Sequence, residues 1–203
     1  MSWTIEHNQG QNDTAIDDLK RVIEEAKRVG IIMLCSASDH GSDFKESLPS
    51  STGACIRVGA GTENGDKCSW VHKDDFDFCF PGENVPLRTS KDGPVKTHNG
   101  SSVATAVAAG SVGLLLYLNK LNAKWRNMSG ENKGANDLKS HTSMKKALES
   151  MCKTSKSTNS RCPRFGDTFG RDFNEFMFML ERDTFYSKLG RIMDDLKVPR
   201  LPS

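Results

Sequence analysis

Apolar residues recur at helical spacing near the start of the chain and lead into a continuous apolar run. Between residues 13 and 30 they share one face of a predicted helix: Ala15, Ile16, Leu19, Val22, Ile23, Ala26 and Val29. Residues 31–37 (IIMLCSA) are typical of a strand buried on both faces. Residues 2–6 are also β-prone. The pattern therefore predicts strand, helix, strand, with the two strands parallel.

Further along, residues 55–61 (CIRVGAG) predict another buried strand, and an alternating run breaks at Pro81 and Gly82. Residues 102–121 predict one largely buried helix, in which Gly110 and Gly113 would allow close approach to neighbouring strands. The fold class expected is α/β, with three layers and a mostly parallel sheet. Polar stretches then separate shorter helical patterns, with a break expected near Gly190. We therefore expect a domain over residues 1–122, followed by a linker and helical C-terminal extension over residues 123–203.

The composition argues against some classes of binding partner. The hydrophobic fraction is 36%, the charged fraction 27% and the net charge only +2, so neither nucleic acid nor a membrane is an expected partner. The longest apolar run, VGLLLYL, is too short to span a bilayer, and no signal peptide is visible at the start. The six cysteines lack metal-ligand spacing. We expect a cytoplasmic protein with free thiols, no metal and no cofactor.

The segment HNGSSVATAVAAG, residues 98–110, sets a glycine and two serines against a run of small residues. One interpretation is structural, with Ser101 or Ser102 as the helix N-cap. The other is catalytic, because a helix N-terminus offers N–H donors to an oxyanion and Gly100 lets a substrate backbone come close. The Gly-x-Ser elbow of α/β-hydrolases is a weaker alternative, since the residues before the turn make a poor buried strand.

The same segment resembles the nucleophile segment of the subtilisin-like serine peptidases, Gly-Thr-Ser-(apolar)-Ala-x-Pro-His-Val-Ala-Gly. Ser101, Ala106 and Val107 stand where the family has Thr, Pro and His. Residues 1–6, 31–41, 54–70 and 77–85 resemble, in the same order, other segments of that family. The resemblance covers about residues 1–122. The positions that fall on the nucleophile pattern are Gly100, Ser102, Ala104, Ala109 and Gly110.

The resemblance implies a serine endopeptidase acting on polypeptides, with Ser102 as the nucleophile. Asp39 stands at the oxyanion position, where the family commonly has Asn and a kexin-like branch has Asp. An ionised Asp cannot donate a hydrogen bond, so the site needs either a protonated Asp39 or the Ser102 N–H. The residues implied to bind substrate are Ser2, Trp3, Ala37, Ser38 and Gly100.

The family's acid and base precede the strand that residues 1–6 resemble. None of the histidines stands at the family's position; His40 and His98 are the ones nearest Asp39 and Ser102 in sequence. The expectation is therefore a C-terminal part of a peptidase domain, lacking its first strands and inactive alone, with a missing N-terminal half as a partner. The alternative is a catalytically inactive pseudopeptidase or peptide-binding module.

Overall fold

The computed structural model describes residues 1–6, 14–41, 47–88, 90–91, 93–130, 137–154, 160–170, 181–196 and 198. The strands are β1 (Ile5–Glu6), β2 (Leu34–Ser36), β3 (Ser47–Leu48), β4 (Ile56–Gly61), β5 (Phe78–Pro81), β6 (Val85–Arg88), β7 (Val95–His98), β8 (Cys152–Thr154) and β9 (Arg161–Pro163). The helices are α1 (Thr14–Arg28), α2 (Ser101–Ser129), α3 (His141–Ser150), α4 (Phe165–Phe169) and α5 (Arg182–Asp195).

The chain divides into two compact units. The first contains Met1–Ala109 and Thr154–Cys162, and the second contains Gly110–Lys153 and Pro163–Ser203. Helix α2 therefore contributes its beginning to the first unit and its remainder to the second. The predicted boundary after residue 122 lies within this helix.

A parallel sheet in the order β2-β4-β5 forms the centre of the first unit. Leu34 aligns with Ile56, and Val58 aligns with Phe78. Ile56, Val58 and Phe78 have no exposed surface. Runs of such residues suit strands covered on both faces, because no position has to meet water. The predicted α/β class with a parallel sheet is confirmed.

Helices cover both faces of this sheet. Cys35 packs with Ile23 of α1, together with Ala54 and Cys55. Leu34, its neighbour on β2, borders a cavity with Thr105 and Ala109 of α2. Successive side chains of a strand point to opposite faces. The first unit thus has three layers: α1, the sheet and the first turns of α2.

The first predicted strand is placed differently from the prediction. Ile5 and Glu6 pair antiparallel with β3 rather than parallel with β2. The contact with β2 is made by Met1, whose terminal nitrogen donates to the Leu34 carbonyl (2.6 Å) and whose carbonyl accepts from the Ser36 N–H (3.1 Å). These two bonds flank Cys35 in the manner of a parallel ladder. The parallel alignment therefore exists, but only at Met1.

Helix α1 buries a narrower stripe than its sequence pattern predicts. Ile16 and Ile23 are buried, whereas Val22 and Val29 are each 57% exposed. Ile31, predicted inside the following strand, is 53% exposed because the strand begins only at Leu34. Part of the predicted apolar face of α1 is therefore exposed to solvent.

Helix α2 is longer than predicted, and it is buried on one face rather than all round. Ala104, Ala108 and Leu115 are fully buried, while Tyr117 is 55% exposed. An added methyl group at Gly110 or Gly113 would meet nothing within 4 Å, so their predicted role in close strand packing is wrong. Among the described helices, α2 alone has the length and composition that a membrane span requires, and 39% of its most apolar window is buried.

In the second unit α2 contacts α5. The Arg126 guanidinium, 5% exposed, lies 2.8 Å from the Asp194 carboxylate, and the ring of Trp125 stacks on that of Tyr186 at 4.4 Å. The predicted break near Gly190 is wrong, because α5 continues through it. A methyl group there would lie 3.4 Å from an Arg126 nitrogen, so the small residue suits the close approach of the two helices. Residues 171–180, part of the predicted helical segment, lie outside the described residues.

The turn after β5 gives a test of the packing between sheet and helix. A methyl group at Gly82 would lie 2.7 Å from the Ala60 Cβ and 3.0 Å from the Ala104 Cβ. We expect Gly82→Ala to lower the free energy of unfolding by about 2 kcal/mol, since an overpacked core must shift its backbone. Gly113→Ala, on the open face of α2, is the matched control and should stabilise by about 0.5–1 kcal/mol. Urea denaturation measures both; a Gly82→Ala protein as stable as wild type would contradict this packing.

Candidate active site

Gly100 forms the turn into α2. Its N–H donates to the Gly82 carbonyl (2.8 Å), and its own carbonyl accepts from the N–H groups of Val103 (3.1 Å) and Ala104 (3.2 Å). Its φ is +129°, which side chains disfavour, and an added methyl group would lie 3.2 Å from the Asp39 Oδ2. Glycine therefore both permits the turn and leaves room for the Asp39 carboxylate.

Ser101 is fully buried and joins three segments of the first unit. Its N–H donates to Asp39 Oδ2 (2.9 Å) and its hydroxyl donates to Asp39 Oδ1 (2.6 Å). The Ala60 N–H of β4 donates to the Ser101 Oγ (3.0 Å). Since this oxygen already accepts from Ala60, its own proton is directed to Asp39. The carboxylate also lies at the positive end of α2, where the helix dipole favours negative charge.

Ser102, the next residue, is exposed. Its N–H belongs to the first turn of α2, where no preceding helical carbonyl is available. Within the described ranges no group accepts a hydrogen bond from it. A hydroxyl and a backbone donor are thus presented together to solvent at the helix N-terminus. Neither serine is the N-cap, because Gly100 occupies that position and Asp39 accepts the Ser101 N–H.

The residues before Asp39 are held by β4 and by the buried carboxylate of Asp75. The Ala37 N–H donates to the Val58 carbonyl (2.8 Å), and the Ser38 N–H donates to Asp75 Oδ2 (2.6 Å). Ala37 and Ser38 are 3% and 5% exposed, and Asp75 is 2% exposed. Burial raises the pKa of the Asp75 carboxyl, with the Ser38 N–H and the charge of Arg57 acting in the opposite direction.

The structure brings Asp39, Gly100 and Ser101 into contact, with Ser102 adjacent. Ser2 and Trp3 are exposed and follow directly on Met1, so they leave the sheet beside the end of β2. The sequence pattern did not predict the contact of Ser101 with Asp39 or the role of Asp75. The Ser101 hydroxyl could have been noticed, because the related pattern has Thr at that position, whereas nothing in the local sequence marks Asp75.

His98 is exposed at the end of β7, where it aligns with Val85 of β6. The His72 Nδ1 accepts a hydrogen bond from the Asp74 N–H (3.3 Å). Across the part of the chain that the structure describes, no three His, Cys, Asp or Glu side chains form a group able to hold a metal ion.

Comparison with known proteins gives a consistent family and fold. The family model described as "Subtilase family" matches residues 1–164, which extends past residue 122 into β8 and β9. No curated protein matches the chain.

The chain resembles the solved maturation protease PagA with a TM-score of 0.53 and 16% identity, covering 79% of this chain and 53% of that one. For a mutant of the PatA protease domain the TM-score is 0.54 with 15% identity, covering 78% and 53%. For the PatG macrocyclase in complex with peptide it is 0.52 with 13% identity, covering 75% and 42%. The chain thus spans about half the length of these structures, and at such identities the likeness concerns the fold.

Truncation of the two adjacent serines to alanine should affect stability to very different extents. Ser101→Ala leaves the buried Ala60 N–H without a partner and removes one hydrogen bond to the exposed Asp39 carboxylate, so we expect the free energy of unfolding to fall by about 1–3 kcal/mol. Ser102→Ala removes an exposed hydroxyl and should change it by less than about 0.5 kcal/mol. Chemical denaturation of both variants checks this. Equal destabilisation would show that the Asp39–Ser101 contact does not hold the turn.

The buried Asp75 carboxyl predicts a pH dependence of stability. In the unfolded chain this group ionises near pH 4, while in the folded protein it keeps its proton to higher pH. Its contribution to stability is therefore fully present at low pH and declines as pH rises above about 4. Asp75→Asn retains an oxygen for the Ser38 N–H but does not titrate. The variant should gain stability relative to wild type between pH 4 and 7 in urea denaturation; a constant difference would contradict the raised pKa.

Proposed function

Since the chain belongs to the subtilase family, we propose that it carries the nucleophile part of a serine-type endopeptidase, with Ser102 as nucleophile. The observation that carries this proposal is the contrast between two neighbouring serines. Ser101 is buried and fixed by Asp39, while Ser102 is exposed with a backbone donor beside its hydroxyl. In such an arrangement Asp39 satisfies the first N–H group of the helix, and the Ser102 hydroxyl remains exposed for reaction.

The proposed chemistry is acyl transfer. The Ser102 oxygen attacks the carbonyl carbon of a peptide bond, its proton passes to a general base, and the carbonyl oxygen becomes an oxyanion. The oxyanion then reverts to a carbonyl as the C–N bond breaks, the amine leaves with the proton held by the base, and water hydrolyses the acyl-enzyme. The Ser102 N–H, at the positive end of α2, is the donor available to that oxyanion. Asp39 lines the same site. In the arrangement observed, however, both of its oxygens accept hydrogen bonds from Ser101.

A polypeptide is the proposed substrate. Ser2 and Trp3 are exposed and follow Met1, and Ala37 and Ser38 follow β2 directly before Asp39; from the family resemblance we propose that these two segments pair with an extended substrate backbone. Gly100 leaves the approach to Ser102 free of a side chain. The solved neighbours support this substrate class, since PagA is described as a maturation protease and PatG was solved with a peptide.

The base and acid are proposed to come from a complementary half of the domain, either upstream in a longer polypeptide or on a separate one. The chain covers 53% of the PagA chain and 42% of the PatG chain, which leaves room for such a half. Loss of the base from a site of this kind lowers turnover on the order of a million-fold. We therefore propose that the chain is inactive alone. The six cysteines, all free thiols, fit the proposed cytoplasmic location.

A second candidate is a non-catalytic peptide-binding module. It is favoured by the two hydrogen bonds that occupy the Asp39 carboxylate, because an ionised carboxylate near the oxyanion position opposes negative charge there. Such a module would bind peptide beside residues 2–3 and 37–38 without acylation of Ser102.

A fluorophosphonate probe separates the two candidates. The chain is tested alone and together with the polypeptide encoded immediately upstream of it. We expect covalent labelling only in the combined sample, because the probe requires an activated serine. Ser102→Ala should abolish that labelling, whereas an exposed serine elsewhere, changed in Ser69→Ala, should not affect it. Absence of labelling in a combined sample that binds peptide would favour the non-catalytic module.

A further inference from the structure

Two cysteine side chains contact each other in the core between α1 and the parallel sheet. Cys35 of β2 and Cys55, the residue before β4, are 0% and 3% exposed and belong to one cluster with Ile23 and Ala54. The Cys35 thiol donates a hydrogen bond to the Cys55 sulfur. The fold of the first unit therefore brings two sulfur atoms together in an apolar interior.

The thioethers of two methionines lie beside this thiol pair. Met1 and Met33 are both partly buried, and both pack against the same cluster. Met33 is level with Cys55 across the sheet, since the next residues of the two strands are aligned partners. Alternate residues of a strand share a face, so Met33 and Cys35 point to the same side of the sheet. Because the methionine side chains are flexible and partly exposed, they provide a path from solvent to the buried thiols.

The alignment of the strands favours a bridging cation over a disulfide. Cys35 aligns with Arg57, which is two residues beyond Cys55. Neighbouring strands lie about 4.8 Å apart and rise about 3.3 Å per residue, so two Cα atoms offset in this way are about 8 Å apart. A disulfide needs a Cα separation below about 7 Å. Metal–thiolate bonds are about 2.3 Å long, as for zinc, so one ion can join two sulfur atoms up to about 4.6 Å apart.

The ligand set indicates which cation would bind. Among the described residues no further His, Cys, Asp or Glu joins the two thiols to make a group of three. Structural zinc sites use four nitrogen or sulfur ligands from cysteine and histidine, so this set does not suit zinc. Thiolate and thioether sulfur together are the soft ligands that select copper(I).

We propose that Cys35 and Cys55 are the thiolate ligands of a copper(I) site, with the thioethers of Met1 and Met33 as additional ligands. Binding releases two thiol protons for one Cu⁺, so the site gains a single negative charge. The hydrogen bond from Cys35 lowers the pKa of the Cys55 thiol, burial opposes this, and the charge of Lys27 acts in the lowering direction. The Lys27 ammonium donates to the Gly53 carbonyl (3.4 Å), where it can offset the charge of the occupied site.

The proposed ion would join the two strands that support the serine turn. Strand β2 leads to Asp39, and β4 contains Ala60, whose N–H donates to the Ser101 Oγ. A ligand that binds only the folded protein raises its stability. Copper(I) should therefore raise the thermal midpoint of the chain, and this holds whether or not the chain is part of a peptidase.

The test titrates the purified 203-residue chain with copper(I) under anaerobic conditions, in competition with a coloured copper(I) chelator. We expect one copper(I) per chain, and a loss of affinity of about a hundred-fold or more in Cys35→Ala and in Cys55→Ala, because each removes a thiolate ligand. A buried thiol packs as a small apolar group, so alanine should keep the fold, which circular dichroism checks. Met33→Leu conserves volume and should weaken binding by about ten-fold or less.

Cys68→Ala is the matched control. Cys68 is 1% exposed, but it packs in a separate cluster with Ala37, Ala60 and Val71. This variant should bind copper(I) as wild type does and should show the same rise in thermal midpoint. Equal loss of affinity in Cys68→Ala and Cys55→Ala would show that the cation binds cysteines in general and would overturn the assignment.

X-ray absorption of the wild-type complex identifies the ligand atoms without any variant. A coordination shell of sulfur alone is the expected result, and a shell that contains nitrogen would overturn the proposal. So would a wild-type chain that cannot compete with the chelator, or Cys35→Ala and Cys55→Ala proteins with wild-type affinity. A Cys35–Cys55 disulfide that forms in the metal-free protein under a mild oxidant would assign the pair to redox chemistry instead.

Discussion

The contact between Asp39 and Ser101 is the constraint on which the rest of the site depends. It links positions 62 residues apart, and the Ala60 N–H adds a third segment to the same serine oxygen. Ser101 and Ala60 have no exposed surface, so the Ser101 hydroxyl and the Ala60 N–H would be buried without a partner if these hydrogen bonds were absent, whereas the Asp39 carboxylate is exposed. The contact fixes where α2 begins relative to the sheet. The exposed position of Ser102 follows from it, because the next residue of the helix has to turn away from the carboxylate.

The same contact has a chemical consequence. A carboxylate that accepts two hydrogen bonds from Ser101 stabilises the helix start, but it offers no proton to an oxyanion. Loss of one donor from an oxyanion hole costs on the order of 100- to 1000-fold in turnover, a magnitude taken from subtilisin. A peptidase built on this geometry would thus rely on the Ser102 N–H and the dipole of α2. In this arrangement Asp39 positions the start of α2 and does not act as a donor at the oxyanion position.

The features that the sequence predicts well are those decided by local pattern. The continuous apolar run of residues 55–61 predicted strand β4, because such a run suits a strand that is buried on both faces. The helical spacing of apolar residues between positions 13 and 30 predicted α1, because such spacing suits a helix that buries one face. The pairing of Ile5 with β3 could not be predicted, because a two-residue strand takes its partner from tertiary packing. The role of Asp75 could not be predicted for a related reason. Its carboxylate accepts a hydrogen bond from the Ser38 N–H, 37 positions away, and an aspartate within a polar stretch of sequence gives no indication that it is buried.

The remaining disagreements between pattern and structure concern how much of each helix is buried. Val22 lies on the predicted apolar face of α1 and Val29 follows the end of that helix, while Gly110 and Gly113 give α2 the small residues typical of close packing, yet all four positions are open. Helix α2 also buries polar side chains, among them Asn119, Asn122 and Arg126, so helical periodicity predicts its buried face only in part. A buried charge is costly unless it is paired, and Arg126 is paired with Asp194 of α5. Contacts between helices, and not the apolar pattern alone, therefore decide which side chains of α2 are buried.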